Sequence, residues 1–264
     1  MSEPVTTRNV RRHRGGRSEA VEDVIVVEEP VEIRLGGIPI AVIMRTPGDD
    51  RDLMLGFALT EGIALDPGEV AEIADLGEGR YEIRFIEGTT VDPERFRRNL
   101  YATSSCGVCG KASIDAIRIA ARTAEPGPVI GTAIIDSLPE QLATAQPSFD
   151  LTGGIHAAAA FDADGALVAA REDVGRHNAV DKLVGALAPD SWPVAAPLLF
   201  VSGRVSFEIV QKAAVAGFRI VAGVSAVSSL GADLAEEFGI TVLGFVRSGG
   251  FNIYTGEERV GSLR

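Results

Sequence analysis

Two cysteines stand three positions apart in the segment Ser104-Ser105-Cys106-Gly107-Val108-Cys109-Gly110-Lys111, and the chain has no others. A thiol attacks as the thiolate, and a helix N-terminus or a neighbouring cation favours that form. Apolar residues at helical spacing predict a helix over 111–123, which places both cysteines in a loop at its start, next to Lys111. The glycines leave room for a bulky partner, so the segment suits a thiol that must meet another sulfur atom.

Four kinds of site share this spacing. A thioredoxin-like redox pair needs a buried strand directly before it, and the arginine-rich stretch 95–102 is a poor strand of that kind. A zinc site needs about four ligands, and apart from the cysteines the chain offers only His13, His156 and His177, unless a dimer supplies four cysteines. An inert structural pair and a persulfide carrier remain, and spacing alone does not choose among the four.

A second candidate site lies where apolar strands end in the C-terminal half. Segments 201–204, 223–225 and 245–250 each follow such a strand, and ligands of open parallel sheets bind beyond the carboxyl ends of the strands. Arg204 and Arg247 stand there beside Gly and Ser, a composition that suits phosphate. The same composition is also typical of plain turns with solvated arginines.

The charged residues around the helix predicted over 176–187 also have both a functional and a structural interpretation. Arg176 and His177 begin a predicted helix, where the imidazole could meet a phosphate, adjust a thiol or simply pack. His156, after two glycines, fits either a functional or a buried histidine. Asp173 and Asp181 are predicted to be a helix cap and a surface acid.

The elements that would position these residues form two parts. The N-terminal part has a hairpin over 31–35 and 38–44, a helix over 51–62 and a strand over 81–86. The C-terminal part has a hairpin over 157–170 and a helix over 176–187. It continues with strands at 197–201, 218–224 and 240–246, which alternate with helices at 206–215 and 229–238 and therefore predict a parallel sheet. We expect a disordered basic tail over 1–20, a small α+β subdomain over 21–104, and a second domain over 105–264 that opens with the cysteine loop.

Charge and hydropathy restrict the partners. The 264-residue chain carries a net charge of −12, although its first eighteen residues hold five arginines and a single acid, Glu3. An acidic body argues against nucleic acid as the main ligand. No segment is apolar for long enough to span a bilayer, so we expect no membrane association and a soluble, cytoplasmic protein.

The cysteine segment resembles the signature of the FdhD family, the sulfurtransferases required for formate dehydrogenase activity. Segments 152–158, 172–182, 202–204 and 245–255 are similar to the same family. The resemblance implies an α/β fold, with the small α+β unit followed by a cytidine-deaminase-like three-layer αβα domain that has a mixed, partly parallel sheet. Zinc-dependent deamination is not implied, because that chemistry needs His-x-Glu and a proline before the first cysteine, whereas Ala158 and Ser105 stand here.

The resemblance also implies roles for individual residues. Cys106 would carry a persulfide received from a cysteine desulfurase, and Cys109 would assist. The segment formed by Phe245, Val246, Arg247, Ser248, Gly249 and Gly250 would bind Mo-bis(molybdopterin guanine dinucleotide), which GDP would mimic. Ser202, Arg204, Arg176 and His177 would add to that site.

No resident metal is expected, and we expect a homodimer that serves formate dehydrogenase. Two other functions stay open at this point: a non-catalytic chaperone that binds the molybdenum cofactor, and a zinc-stabilised binding module.

Overall fold

The computed structural model describes residues 3–93, 96 and 126–261, so both cysteines and the helix predicted over 111–123 lie outside the described residues. The N-terminal part contains β1 (Val5–Arg14), β2 (Arg17–Val26), β3 (Glu29–Leu35), β4 (Ile38–Arg45), α1 (Asp50–Thr60), a 3-10 turn (Pro67–Glu69), β5 (Val70–Gly77) and β6 (Arg80–Phe85). The C-terminal part contains β7 (Ile130–Gly131), α2 (Thr132–Thr144), α3 (Pro147–Thr152), β8 (His156–Phe161), β9 (Leu167–Asp173), α4 (Arg176–Leu187), β10 (Leu198–Val201), α5 (Phe207–Ala216), β11 (Ile220–Gly223), α6 (Ser229–Phe238), β12 (Thr241–Arg247), β13 (Gly250–Thr255), a 3-10 turn (Glu257–Arg259) and β14 (Val260–Gly261). In the described ranges, no helix has the length and apolar character needed to cross a bilayer.

The larger sheet has the strand order β13-β12-β11-β10-β8-β9, with β10, β11 and β12 parallel to one another and the outer pairings antiparallel. Because side chains alternate along a strand, each face of this sheet has its own core. Ala158 and Ala160 of β8 pack with α4, α5 and α6, whereas Ala157 and Ala159 pack with α2 on the opposite face. The domain therefore has three layers, and the predicted fold class is confirmed.

The smaller sheet has the order β4-β3-β6-β5. The predicted hairpin is present, and its turn residues Gly36 and Gly37 have φ angles of 54° and 79°. Such angles suit a two-residue turn between strands and favour glycine. Leu53, Met54 and Phe57 of α1 pack into the core of this sheet.

The two parts contact each other where α1 crosses α4, and each helix has a glycine at the crossing. A Cβ atom on Gly56 would lie 1.8 Å from the carbonyl oxygen of Asp181, and one on Gly185 would lie 1.9 Å from that of Asp52. Both helix backbones therefore approach more closely than any larger residue permits at these positions. The crossing brings α1, from the N-terminal part, against the helix that begins with Arg176.

The prediction of a disordered tail over residues 1–20 is wrong, because β1 and β2 pair as a ten-residue antiparallel ribbon. Gly15 and Gly16, with φ angles of 57° and 78°, form its turn, and β-branched residues such as Val5 and Val24 stand at its base. The arginine-rich composition obscured a glycine-pair turn that is a recognised hairpin signal.

Candidate functional site

Three segments meet at the carboxyl edge of β10, β11 and β12. Backbone hydrogen bonds connect them: Val205 N–H donates to the carbonyl of Ala226 at 3.0 Å, and Phe245 N–H donates to that of Ser225 at 3.0 Å. The predicted strand-end residues Ser202, Arg204 and Arg247 are thus brought to one edge of the sheet by its parallel order.

The hairpin between β12 and β13 holds the segment from Phe245 to Gly250. A bulge before Arg247 leaves Phe245 at a φ of 53°, a conformation that bulky L-residues rarely adopt, and its side chain is 45% exposed. Arg247 donates to the carbonyls of Val224 and Val246. Val246 is buried in the core, so only its backbone can face a ligand. A Cβ atom on Gly249 or Gly250 would meet nothing within 4 Å, so the turn backbone is open to solvent.

Ser202 and His156 connect β10 to the start of β8. The Ser202 hydroxyl accepts from Ala157 N–H at 2.9 Å and lies 3.3 Å from His156 Nδ1. Gly203 lets side chains lie close to the chain, because a Cβ atom there would be 3.4 Å from Arg176 Cδ and 3.5 Å from the His156 ring. Burial, followed by the positive charge of Arg176, lowers the pKa of His156, which favours a neutral ring.

Arg176 and His177 occupy the first turn of α4, whose N-cap Gly175 supplies no side-chain cap. The buried Nε of Arg176 has no hydrogen-bond partner among the described residues. His177 Nε2 lies 2.8 Å from Glu208 Oε2 and 3.4 Å from the Ser206 hydroxyl. Burial acts to raise the pKa of Glu208, but the hydrogen bond to His177 and its charge outweigh burial, and the pKa is lowered.

The sequence predicts Asp173 as a helix cap and Asp181 as a surface acid, but both residues are buried. Their exposed fractions are 0% and 2%, and each pairs with a buried lysine. Asp173 lies 2.9 Å from Lys182 Nζ and also accepts from the backbone N–H of Thr46 and Gly175. Asp173 thus accepts from the N-cap residue Gly175, directly before α4, and from a fully buried position.

Lys212 is the centre of a second buried cluster. Its Nζ lies 2.9 Å from both carboxylate oxygens of Asp181 and from Glu61 Oε1, and 3.0 Å from the Thr60 hydroxyl. Burial alone would lower the pKa of Lys212, but the charges of Asp181 and Glu61 outweigh burial and raise it. The cluster ties α1 to α4 and α5.

A cavity of about 410 Å³ lies between these elements. Its apolar side comes from β4 and α1, and its polar side includes His156, Arg176 and His177. Glu61, Asp181, Glu208 and Lys212 also line the cavity. Sequence reasoning missed Glu208 and Lys212, although their spacing of four residues on a helix is the signal of a charged pair on one face.

The predicted site residues therefore fall into three groups. Arg176 and His177 line the cavity, and His177 is paired with Glu208. Ser202 contacts His156, which also lines it. Arg204 and the Phe245–Gly250 hairpin lie along the same sheet edge. Cys106 and Cys109 fall outside the described residues.

The fold and the strand-end site together define a two-part protein with a three-layer α/β domain. Residues 26–261 match the model of the FdhD/NarQ family, and the chain belongs to that family.

Two relatives and one solved structure are similar over nearly the whole chain. The sulfur carrier protein FdhD of Streptomyces avermitilis is 47% identical, over 98% of this chain and 97% of the relative. The protein of the same name from Mycolicibacterium paratuberculosis is 48% identical, over 96% of this chain and 98% of the relative. A crystal structure of a protein from Desulfotalea psychrophila, described as a formate dehydrogenase accessory protein, superposes with a TM-score of 0.78, over 97% of this chain and 99% of that chain. Its sequence is 23% identical, so this likeness supports the fold alone.

Proposed function

We propose that this protein is a sulfur carrier that receives persulfide sulfur from a cysteine desulfurase and delivers it to the molybdenum cofactor of a formate dehydrogenase. One observation carries the proposal: relatives named sulfur carrier protein FdhD align at 47% identity over 98% of the chain, a span that includes the Cys106-x-x-Cys109 motif. Sulfur transfer in general follows from that name, and the donor and acceptor are our inference.

The chemistry begins with attack of the Cys106 thiolate on the outer sulfur of the donor's persulfide. The donor's S–S bond breaks, its cysteine leaves as a thiolate, and a new S–S bond forms on Cys106. The Cys109 thiolate then attacks the Cys106 sulfur, which releases hydrosulfide to the molybdenum cofactor and leaves a Cys106–Cys109 disulfide. The two electrons that convert the carried sulfur to sulfide come from the two thiols, and a dithiol reductant restores them.

The described residues fit a guanine nucleotide arm of the cofactor. Phe245 presents an exposed ring that can stack on a base, and the open backbone at Gly249 and Gly250 can approach a phosphate. Arg176 adds a buried Nε, without a hydrogen-bond partner in the part of the chain that the structure describes, beside the start of α4, which has no side-chain cap. The cavity is at the small end of ligand pockets, which span roughly 300–1,000 Å³, so it suits one arm of so large a cofactor.

The test is intact-protein and peptide mass spectrometry after incubation with a cysteine desulfurase and free cysteine. We expect one added sulfur atom, removable by reductant, on the peptide that contains Cys106. Cys109→Ala should retain that sulfur because its release is blocked, whereas Cys106→Ala should gain none. Absence of added sulfur on the wild-type chain, with GDP still bound, would instead support a non-catalytic chaperone for the cofactor.

A complementation assay addresses the recipient. In cells that lack their own carrier, the wild-type chain should restore formate dehydrogenase activity and Cys106→Ala should not. Restoration by Cys106→Ala would refute sulfur carriage and again favour the chaperone.

A further inference from the structure

The β1–β2 ribbon contacts little of its own chain beyond its base. All residues from Arg11 to Ala20 are exposed, and the base of β2 packs on α3. Isolated two-stranded hairpins are marginally stable in water. In addition, Arg14 and Arg17 face each other across the turn, and like charges in that position are destabilising. Within the described ranges, the distal half of the ribbon therefore has no stabilising surface to pack on.

The charge of the ribbon indicates what such a surface carries. Residues 4–18 contain five arginines and no acid. Among residues 3–93, 96 and 126–261, these arginines form one ion pair, which joins Arg12 to Asp23 at 3.3 Å, and both side chains are 46% exposed. Exposed pairs of this kind contribute little, about 0–1 kcal/mol, so most of the positive charge is uncompensated.

A complementary strand is present in the same chain. Residues 65–79, which include β5, contain five acids and no base. β5 is an edge strand whose ladder partner among the described residues is β6. Glu72 and Glu78 are 54% and 80% exposed, and they pair with Arg84 and Arg80 of the neighbouring β6 strand. The remaining acids, Asp66, Glu69 and Asp75, accept from nearby backbone N–H groups.

We propose that the β1–β2 ribbon of one copy lies along β5 of a second copy, and that the second copy returns the same contact. Edge strands expose unpaired backbone groups that readily accept another strand, and opposite charges give the pairing its specificity. The ribbon does not use β5 of its own chain, because its distal residues are exposed. A polyanionic ligand is disfavoured, because the arginine ribbon belongs to a chain with a net charge of −12.

Charge reversal of the two surfaces tests the proposal. One full-length variant carries Arg12→Glu and Arg14→Glu, and the other carries Glu72→Arg and Asp75→Arg. We expect each variant alone to self-associate at least about tenfold more weakly than the wild type in sedimentation velocity. An equimolar mixture should associate like the wild type, because each reversed ribbon then meets a reversed strand.

The control variant, Asp233→Lys with Glu236→Lys, changes the net charge by as much as Glu72→Arg with Asp75→Arg does, but on the exposed face of α6, away from β5. It should associate like the wild type, and circular dichroism should show that all variants are folded. A wild-type chain that sediments as a monomer would overturn the proposal. So would single variants that associate normally, as expected if the ribbon binds another acidic protein, or a mixture that fails to recover.

Discussion

Replacement of Lys212 by methionine should destabilise the protein strongly. Lys212 is 5% exposed, and its ammonium group lies 2.9 Å from oxygens of Asp181 and Glu61. Methionine fills a similar volume without the charge, so the variant removes the ammonium group that lies between the carboxylates of Asp181 and Glu61. Removing one partner of a buried ion pair costs about 3–5 kcal/mol, and we expect a loss of free energy of unfolding in that range.

Urea denaturation measures this loss. The single tryptophan, Trp192, packs against the cores of both parts, so its fluorescence reports on each. With a urea dependence of about 2–3 kcal/mol per molar, the midpoint should fall by roughly 1–2 M. The comparison variant is Arg84→Met, which removes a cation that is 53% exposed and paired with Glu72, and it should cost less than about 1 kcal/mol.

A double variant distinguishes two contributions to the loss of stability: the lost attraction between Lys212 and its partners, and the cost of leaving the buried Asp181 carboxylate without that cation. Asp181→Asn in the Lys212→Met background removes the buried carboxylate that has lost the ammonium group of Lys212, while it keeps the shape of the side chain. The double variant should therefore be no less stable than Lys212→Met alone, although Asp181→Asn by itself is destabilising. The reasoning is refuted if Lys212→Met costs no more than Arg84→Met, or if the two losses simply add.

Three further changes give outcomes that the structure fixes in advance. Gly56→Ala should lower the free energy of unfolding by about 1–3 kcal/mol or more, because the new Cβ meets a backbone carbonyl, whereas Gly131→Ala, with nothing within 4 Å, should be nearly neutral in the same urea assay. Burial and Arg176 lower the pKa of His156 below its ordinary 6.5, so the unfolded chain binds this proton more readily. The melting temperature should thus fall as the pH drops through and below 6.5, and His156→Asn should show a smaller fall; equal slopes would contradict the assignment. Phe245→Gly should relieve a strain of about 1–3 kcal/mol and raise stability, yet weaken GDP binding in calorimetry; unchanged affinity would exclude stacking on this ring.

The sequence predicted the regular elements well where pattern and turn agreed. The helix over Arg176–Leu187 begins and ends at the predicted residues, and Val180, Leu183 and Val184 are buried as expected. Glycine pairs also marked the hairpin at Gly36–Gly37. The paired residues of the site were harder to predict, because burial of Asp181 depends on a lysine thirty-one positions away and on a helix from the other part. Periodicity within one helix carries no information about such partners.

The strand β5 was hard to predict from the sequence for a different reason. Its alternation is broken by acids and small residues, because one edge and most of its side chains face solvent, so little in its sequence marks it as a strand. Likewise, the positive φ of Phe245 arises from a bulge in the pairing of β12 with β13, and no motif in the local sequence predicts it. The cysteine pair, the most informative feature of the sequence, lies outside the described residues.

The glycine crossing of α1 and α4 has a consequence for how the molecule loses its structure. α1 packs in the core of the N-terminal part, and α4 packs in the core of the C-terminal part. The two helix backbones contact each other directly at Gly56 and Gly185, so each part covers a surface of the other. The two parts should therefore melt together, with a calorimetric enthalpy equal to the van't Hoff enthalpy. For the same reason, a gene fragment that encodes only the three-layer domain should yield an aggregating chain rather than an independent module, because it would expose the side of α4 that α1 covers at Gly185 and the charges that Lys212 and Asp181 now share with Glu61.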